Sequence, residues 1–188
     1  MPDHTDRRTV LTAAAAFLAP ALLVGSAHAA SASEIELAAN NALGRLYAKS
    51  DKARQLRRRS KGILIFPKIA KAGFVFGAEG GNGVMHIGAK TAGYYNLVAA
   101  SFGLQAGIET FSSAFFFVTQ SAVDYLANSK GWSIGAGPSV AIVDAGFAKN
   151  FDTTTLSQDV YAFPFGLKGL MAGVTLNGSK ISHIHPGP

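Results

Sequence analysis

The spacing of apolar residues near the start of the chain predicts an amphipathic helix from Ser33 to Arg58. Ser33 is a suitable N-cap, and a shorter apolar stripe predicts a second helix from Ser121 to Ser129, with Gly131 just beyond its end. In the first helix the apolar positions recur every three or four residues: Ile35, Ala38, Ala39, Ala42, Leu43, Leu46 and Tyr47.

Beyond the first helix the apolar period falls to two, which is typical of half-buried strands. The clearest alternation runs from Phe102 to Glu109, where every second residue is apolar. Further strands are predicted at residues 62–66, 73–78, 83–88, 94–100, 114–119, 140–145, 160–163 and 170–176.

Two of these strands are separated by Glu79-Gly80-Gly81-Asn82-Gly83. Glycine and asparagine tolerate positive φ, so the segment is predicted to be a hairpin turn. A phosphate-binding loop is the alternative. It is disfavoured because the glycine spacing matches neither nucleotide-binding pattern and no helix follows.

Short strands with glycine-rich connections predict an α+β, β-rich fold. We expect a curled antiparallel sheet or barrel-like core with the N-terminal amphipathic helix and one short helix. A hydrophobic content of 48% in 188 residues is ample for one core. No internal repeat or linker divides the chain, so residues 30–188 are predicted to form a single domain.

The first 29 residues have the features of a signal peptide. Arg7-Arg8 precede an uncharged run from Val10 to Val24, and Ala27-His28-Ala29 supplies the small residues that a signal peptidase requires. The run is shorter than the roughly 20 residues that span a bilayer, which disfavours a retained anchor. The arginine pair resembles a twin-arginine signal. These features predict a periplasmic or secreted protein.

The chain has no cysteine, which excludes disulfides, thiolate metal sites and a cysteine nucleophile. No hydrolase or zinc-protease motif occurs, and the carboxylates show no spacing typical of an acid/base pair. His183-x-His185 could supply half of a metal site but lacks a visible third ligand. The sequence therefore predicts a protein that is not an enzyme, with no cofactor and no metal.

The positive charge of the chain is local. Between Arg45 and Lys71 there are ten Lys or Arg residues and one acid, Asp51. A solvated basic face is one interpretation, and an anion site is the other. Anionic lipid headgroups attract such clusters at about 1 kcal/mol per basic residue. Nucleic acid would be attracted too, but no recognition motif accompanies the charge, and we expect no nucleic-acid partner.

The run from Ser60 to Gly77, SKGILIFPKIAKAGFVFG, resembles the opening of the SYLF domain. Later landmarks of that family follow in order. They are Gly83-Val84-Met85, Ser101-Phe102-Gly103-Leu104-Gln105-Ala106-Gly107, Asp159-Val160-Tyr161-Ala162, and the stretch KGLMAGVTLNG from Lys168 to Gly178. The resemblance covers residues 42–176. Phe163-Pro164-Phe165-Gly166 departs from the family pattern, in which a more polar stretch is common.

The resemblance implies a lipid-binding module, since eukaryotic members bind membranes through an N-terminal amphipathic and basic region and some also bind actin. Combined with the charge pattern, it leads to the hypothesis that the protein docks on anionic phospholipid membranes. The residues predicted to contact headgroups are Arg54, Arg57, Arg58, Arg59, Lys61, Lys68 and Lys71. The apolar stripe of the helix either inserts into the bilayer or, as we expect, packs on the sheet.

A structural or interaction protein of the envelope is the competing hypothesis, in which aromatic strands bind a protein partner or form a homo-oligomer. Phe115-Phe116-Phe117 is the best candidate for such a surface. Three consecutive aromatic residues in a strand more often bury both faces in a core. A curled sheet could also enclose a cavity, and an acyl chain would then be the ligand.

Overall fold

The computed structural model describes residues 30–73, 76–102, 107–145, 147–153, 155–166, 169–171, 174, 176 and 178–187. The predicted signal peptide, residues 1–29, lies outside them. The helices are α1 (Ala32–Lys49), α2 (Asp51–Arg57) and α3 (Gln120–Asn128), with a 3-10 turn at Phe147–Lys149. The strands are β1 (Gly62–Gly73), β2 (Phe76–Ile87), β3 (Lys90–Phe102), β4 (Gly107–Phe117), β5 (Trp132–Ser133), β6 (Val140–Ile142), β7 (Val160–Gly166), β8 (Gly169–Leu170) and β9 (Lys180–Ile184).

The single helix predicted from Ser33 to Arg58 is two helices, and its predicted N-cap is wrong. Ser31 caps α1 in a capping box. The Ser31 hydroxyl accepts from the Glu34 N–H, and the Glu34 carboxylate accepts from the Ser31 N–H at 2.9 Å. Ser50 interrupts the helix in an extended conformation, and its hydroxyl caps α2 by accepting from the Ala53 N–H.

One nine-stranded sheet forms the body of the protein, in the order β5-β9-β3-β2-β1-β4-β7-β6, with β8 paired to β7. Every pairing is antiparallel except that of β6 with β7. The sheet curls strongly into a half-barrel, so the predicted β-rich α+β fold is confirmed. Its two edges are the shortest strands on this path, β5 with two residues and β6 with three.

The hairpin turn predicted at residues 79–83 is wrong, because β2 runs through them as a regular strand. Opposite this segment, β1 carries a bulge at Pro67, where its register shifts against both neighbours. The bulge brings the two backbones close. A Cβ atom on Gly81 would lie 2.2 Å from the Lys68 carbonyl oxygen, and one on Gly83 would lie 2.4 Å from that of Ile65. These glycines permit close approach rather than a turn.

Other strand predictions need smaller corrections. The alternation at 102–109 is divided between β3 and β4, and residues 103–106 lie outside the described residues. The strand predicted at 73–78 is likewise divided between β1 and β2. Within the region predicted at 140–145, the described strand is β6, which ends at Ile142. Within the region predicted at 170–176, the described strand is β8, which ends at Leu170. The short helix predicted at 121–129 matches α3 within one residue.

The core covers both faces of the sheet. On one face, Phe115 and Phe117 pack edge-on against Trp132, with ring centroids 6.4 and 5.8 Å apart. On the other face, Phe116 packs against Phe163 at 5.2 Å, beneath α1 and α2. All five rings are fully buried. The Phe115-Phe116-Phe117 run is thus a two-sided core element, and it does not provide an exposed aromatic surface.

Asp159 ties the loops around α3 to the sheet. Its carboxylate accepts from the Thr119 hydroxyl at 3.0 Å and from the N–H and hydroxyl of Ser139 at 2.9 and 2.7 Å. These bonds, chiefly the one from the Ser139 backbone, hold the pKa of Asp159 below its usual value. The contact ties the loop that joins β5 to β6 to the residue that precedes β7.

We expect Gly83→Ala to destabilise the protein by about 2 kcal/mol, because the new methyl group would clash with the Ile65 carbonyl and the Phe66 ring. The matched control is Gly44→Ala in α1, where a Cβ atom meets nothing within 4 Å. That change should stabilise the helix by up to about 1 kcal/mol. Urea unfolding of both variants measures the difference, and equal midpoints would contradict the close approach of β1 and β2.

Candidate functional site

The predicted basic residues form one compact group and two separate positions. Arg54 and Arg57 lie in the last turn of α2, Arg58 and Arg59 in the turn that follows, and Lys61 just before β1. All five side chains are exposed. We call Arg57, Arg58, Arg59 and Lys61 the basic turn. Its position beyond the C-terminus of α2 is favourable, since cations there interact with the helix dipole.

Two members of this group have side-chain partners that hold them in place. Arg57 lies over the Tyr47 ring, with its guanidinium carbon 5.2 Å from the ring centroid. Arg59 donates to the Thr153 carbonyl, which connects the turn to the loop before β7. The basic turn is therefore an ordered feature of the surface.

Arg54 belongs to the same helix but is engaged differently. Its guanidinium donates to the Tyr47 carbonyl at the end of α1 and pairs with Asp51 one turn earlier. The ion pair lies at the surface, where such pairs contribute little to stability. It neutralises the charge of Arg54 locally, so Arg54 contributes less to an anion site than the residues of the basic turn.

The structure does not bring Lys68 and Lys71 to the basic turn. Lys68 lies in the bulge of β1, and Lys71 lies ten residues after Lys61, which at 3.3 Å per strand residue is a path of at most roughly 30 Å along the chain. Lys71 is directly opposite Glu79 on β2 and Glu109 on β4. Glu79 is 7% exposed, and its pKa is raised by burial, an effect that the charge of Lys71 partly offsets. The two acids offset the positive charge of Lys71.

The apolar stripe of α1 packs on the sheet, as expected. Its members Ile35, Ala39, Ala42, Leu43 and Leu46 are buried in the cluster that includes Phe116. Ala38 is exposed, and Leu37 on the outer side of the helix is 66% exposed. An amphipathic face already buried in the core is not available for insertion into a bilayer.

A polar cluster joins α1 to the β2–β3 hairpin. The Glu36 carboxylate accepts from the hydroxyls of Thr91 and Tyr94, the latter at 3.3 Å, and lies 2.9 Å from Nε2 of His86. Burial raises the pKa of Glu36, but the bonds from Thr91, His86 and Tyr94 and the charge of His86 outweigh it and hold that pKa below 4.5. Sequence reasoning missed this cluster, because 50 residues separate Glu36 from His86 and no local pattern connects them.

An open groove of about 440 Å³ lies between the same two elements. Its floor and one wall come from α1, and the opposite wall is formed by the β2–β3 hairpin with Ile63. Arg57 of the basic turn lies at one end, and the Glu36 cluster lies at the other. The groove therefore connects the two polar features that flank α1.

A second groove of about 480 Å³ lies beside β6 and is partly aromatic. Phe147, which is 47% exposed, stacks at 5.5 Å on Phe151, which in turn packs on Tyr161 at 5.0 Å. The Tyr161 hydroxyl accepts from the N–H groups of Ser157 and Gln158. The groove therefore presents one exposed aromatic ring, Phe147, beside the buried rings of Phe151 and Tyr161.

The described part of the chain contains no cluster of three or more His, Asp or Glu side chains placed to hold a metal ion. His183 and His185 both lie at the exposed end of the chain, and His183 packs on the Tyr95 ring at 4.2 Å. Within the same described residues, no helix is both long and apolar enough to cross a membrane.

Residues 98–185 match the Ysc84 family model, described as Las17-binding protein actin regulator. Ysc84 is the SYLF family, so the resemblance drawn from the sequence motifs is confirmed. The matched range contains the later landmarks, from Ser101 onward, and begins after the opening run at residues 60–77. No curated protein matched the chain.

The Glu36 cluster predicts a specific pH dependence of stability. A carboxylate whose folded pKa is lowered stabilises the protein above its unfolded pKa, and this stability is lost as the pH falls through the folded value. We therefore expect Glu36→Gln to destabilise the protein at pH 7 by on the order of 1 kcal/mol. The difference from the parent protein should shrink as the pH falls below 4.5. Urea unfolding between pH 7 and pH 3 tests this, and a constant difference would contradict it.

Proposed function

Because residues 98–185 match the SYLF family model, we propose that this protein is a non-enzymatic module that associates with anionic phospholipid membranes through its basic turn. The single observation that supports this most directly is the exposure of Arg57, Arg58, Arg59 and Lys61 within five consecutive positions. The family resemblance implies lipid binding, and the basic turn is the strongly basic surface that could carry it.

Simple electrostatics gives the basic turn useful affinity. Each Lys or Arg near an anionic bilayer contributes about 1 kcal/mol, so four such residues supply about 4 kcal/mol before the entropy cost of association. That contribution decreases within a Debye length, which is about 8 Å at physiological salt. Lys68 and Lys71 lie further along β1, and Lys71 is opposite Glu79 and Glu109 on the neighbouring strands. The proposal therefore assigns the main contact to the basic turn.

The mode of binding that we propose is peripheral. The apolar stripe of α1 is part of the core, so membrane association need not disturb the fold. Ordering of Arg57 by Tyr47 and of Arg59 by Thr153 supports this mode, since fixed side chains lose less entropy when they bind. Arg58 and Lys61 complete the charged surface.

We further propose that the protein acts after export, in the periplasm or outside the cell, and remains peripheral to the membrane. The support is the pattern of residues 1–29: the arginine pair, the uncharged run and the small residues before Ala30. Export by the twin-arginine route delivers folded proteins, which suits a chain without cysteine that needs no oxidative folding.

A protein partner is the second candidate, favoured by the exposed Phe147 in the groove beside β6. Aromatic residues are enriched at protein–protein interfaces relative to the rest of the surface, and Phe147 is held in place by its contact with Phe151. The family model is itself described by a protein-binding activity. In this candidate function the contact surface is the Phe147 groove, because the three rings of Phe115-Phe116-Phe117 are inaccessible.

Charge reversal separates the two candidates. We expect Arg58→Glu with Lys61→Glu to abolish co-sedimentation with vesicles containing phosphatidylglycerol, because repulsion replaces attraction at the centre of the basic turn. These two residues are chosen because, unlike Arg57 and Arg59, their side chains make no hydrogen bond, ion pair or ring contact with the described part of the chain. Binding by the parent protein should fall steeply with salt.

The matched control is Lys130→Glu with Lys180→Glu, which changes the net charge by the same amount at exposed positions on other elements. It should retain most of the vesicle binding. Equal loss in both double variants would mean that net charge alone governs binding. Vesicle binding unaffected by the Arg58 and Lys61 changes would contradict the proposal and favour the Phe147 groove as the functional surface.

A further inference from the structure

The groove between α1 and the β2–β3 hairpin has the dimensions of a small-ligand site. Its volume of about 440 Å³ is within the range of known ligand pockets, roughly 300–1,000 Å³. Along α1 it extends from Glu36 to Tyr47, eleven residues or roughly 16 Å at 1.5 Å per residue. The hairpin supplies the second wall through His86 and Thr91.

Arg57 gives one end of this groove a fixed positive charge. Its guanidinium carbon lies 5.2 Å from the centroid of the Tyr47 ring, and the residue remains exposed. A guanidinium presents its donors in a planar fork, which suits two-point recognition of a phosphate. Tyr47 does not oppose an anion, since burial raises the pKa of its hydroxyl to about 12 and keeps it neutral.

The middle of the groove is open because α1 has a glycine there. Gly44 lies in the interior of the helix, where glycine costs about 1 kcal/mol relative to alanine. Packing does not require it, since a Cβ atom at this position would meet no atom within 4 Å. Glycine at such a position allows a ligand to approach the helix backbone closely. Asn40, one turn earlier, offers an amide donor and acceptor on the same wall.

The far end of the groove offers little repulsion to an anion at Arg57. The Glu36 carboxylate is occupied by donors from Thr91, Tyr94 and His86. It also lies about three helical turns from Tyr47, and therefore from the charge that binds the ligand. The groove thus has one cationic end, followed by neutral polar groups that suit hydroxyls.

We propose that this groove binds a hydroxyl-bearing phosphate ester, with the phosphate on Arg57 and the hydroxyl-bearing part extending past Gly44 towards Asn40. This inference deepens the proposed membrane function, and it rests on that function where the ligand is a lipid headgroup. The phosphate ester is either a lipid headgroup at the membrane surface or a soluble metabolite. In both cases binding takes place at a defined site, in contrast to diffuse attraction by the whole basic turn.

The test uses two pairs of variants of the purified protein. Arg57→Lys keeps the charge but loses the planar fork of donors beside Tyr47, and Arg45→Lys, at an exposed position of α1 that does not line the groove, is its matched control. Gly44→Leu fills the groove without changing charge, and Ala48→Leu adds the same side chain at an exposed position of α1 that does not line it. Both leucine changes raise helix propensity or leave it nearly unchanged, so unfolding midpoints should not fall.

Binding of sn-glycerol 3-phosphate is followed by NMR titration, with inorganic phosphate and glycerol as reference probes. We expect shifts at groove residues, affinity reduced about tenfold in Arg57→Lys and lost in Gly44→Leu, and the two controls unchanged. Inorganic phosphate should bind more weakly, and glycerol should not bind. Absence of binding by the parent protein, or equal binding by all four variants, would overturn the proposal.

Vesicles containing phosphatidylglycerol then identify the source of the ligand. If the two groove variants also lose vesicle binding, the lipid headgroup occupies the groove. If they keep it while losing glycerol 3-phosphate, the ligand is a soluble phosphate ester and the basic turn alone binds the membrane. If the parent protein binds glycerol 3-phosphate but no vesicles, the membrane function fails and the groove site stands.

Discussion

The two-sided burial of β4 is the constraint on which the rest of the structure depends. A strand with three consecutive phenylalanines must be covered on both faces, since each buried ring contributes several kcal/mol and any uncovered ring would be exposed to water. Trp132 and α3 cover one face, and α1 and α2 cover the other. This requirement places α1 and α2 against the sheet, and the basic turn follows α2 directly.

This constraint also determines which parts of the N-terminal region are available for function. Because α1 uses its apolar stripe to cover Phe116, its outer face and the turn after α2 are what solvent and ligands meet. The same packing lays α1 across the β2–β3 hairpin, which creates the groove and brings Glu36 to His86. Core formation and site formation are therefore one event, and variants that loosen the Phe116 contact would also open the groove.

Local patterns in the sequence predict the elements better than their junctions. The apolar stripes identify α1 and α3, and the β-rich class follows from short apolar runs between glycines. The helix break was predictable in principle, since Ser50 precedes Asp51 as a second capping serine, and the Ser31–Glu34 capping box was also visible.

The wrong prediction of a turn at residues 79–83 has a different cause. The sequence does not distinguish a glycine that permits close approach of two backbones, such as Gly81 or Gly83, from a glycine in a turn, unless the neighbouring bulge is known. The exposure of the basic turn was predictable, whereas its separation from Lys71 depended on β1 being twelve residues long. The Glu36 cluster had no signal in the sequence, since it arises from tertiary packing alone.

The shortness of the two outermost strands has a consequence for the behaviour of the protein at high concentration. A sheet of nine strands in an apolar chain would polymerise readily if its borders exposed long rows of unpaired backbone groups. Here the borders are β5 and β6, with two and three residues, and the loop between them is held by Asp159. A border strand this short offers another chain few backbone groups with which to pair. Strand addition at β5 or β6 is therefore disfavoured, which limits one route by which a β-rich protein forms fibrils.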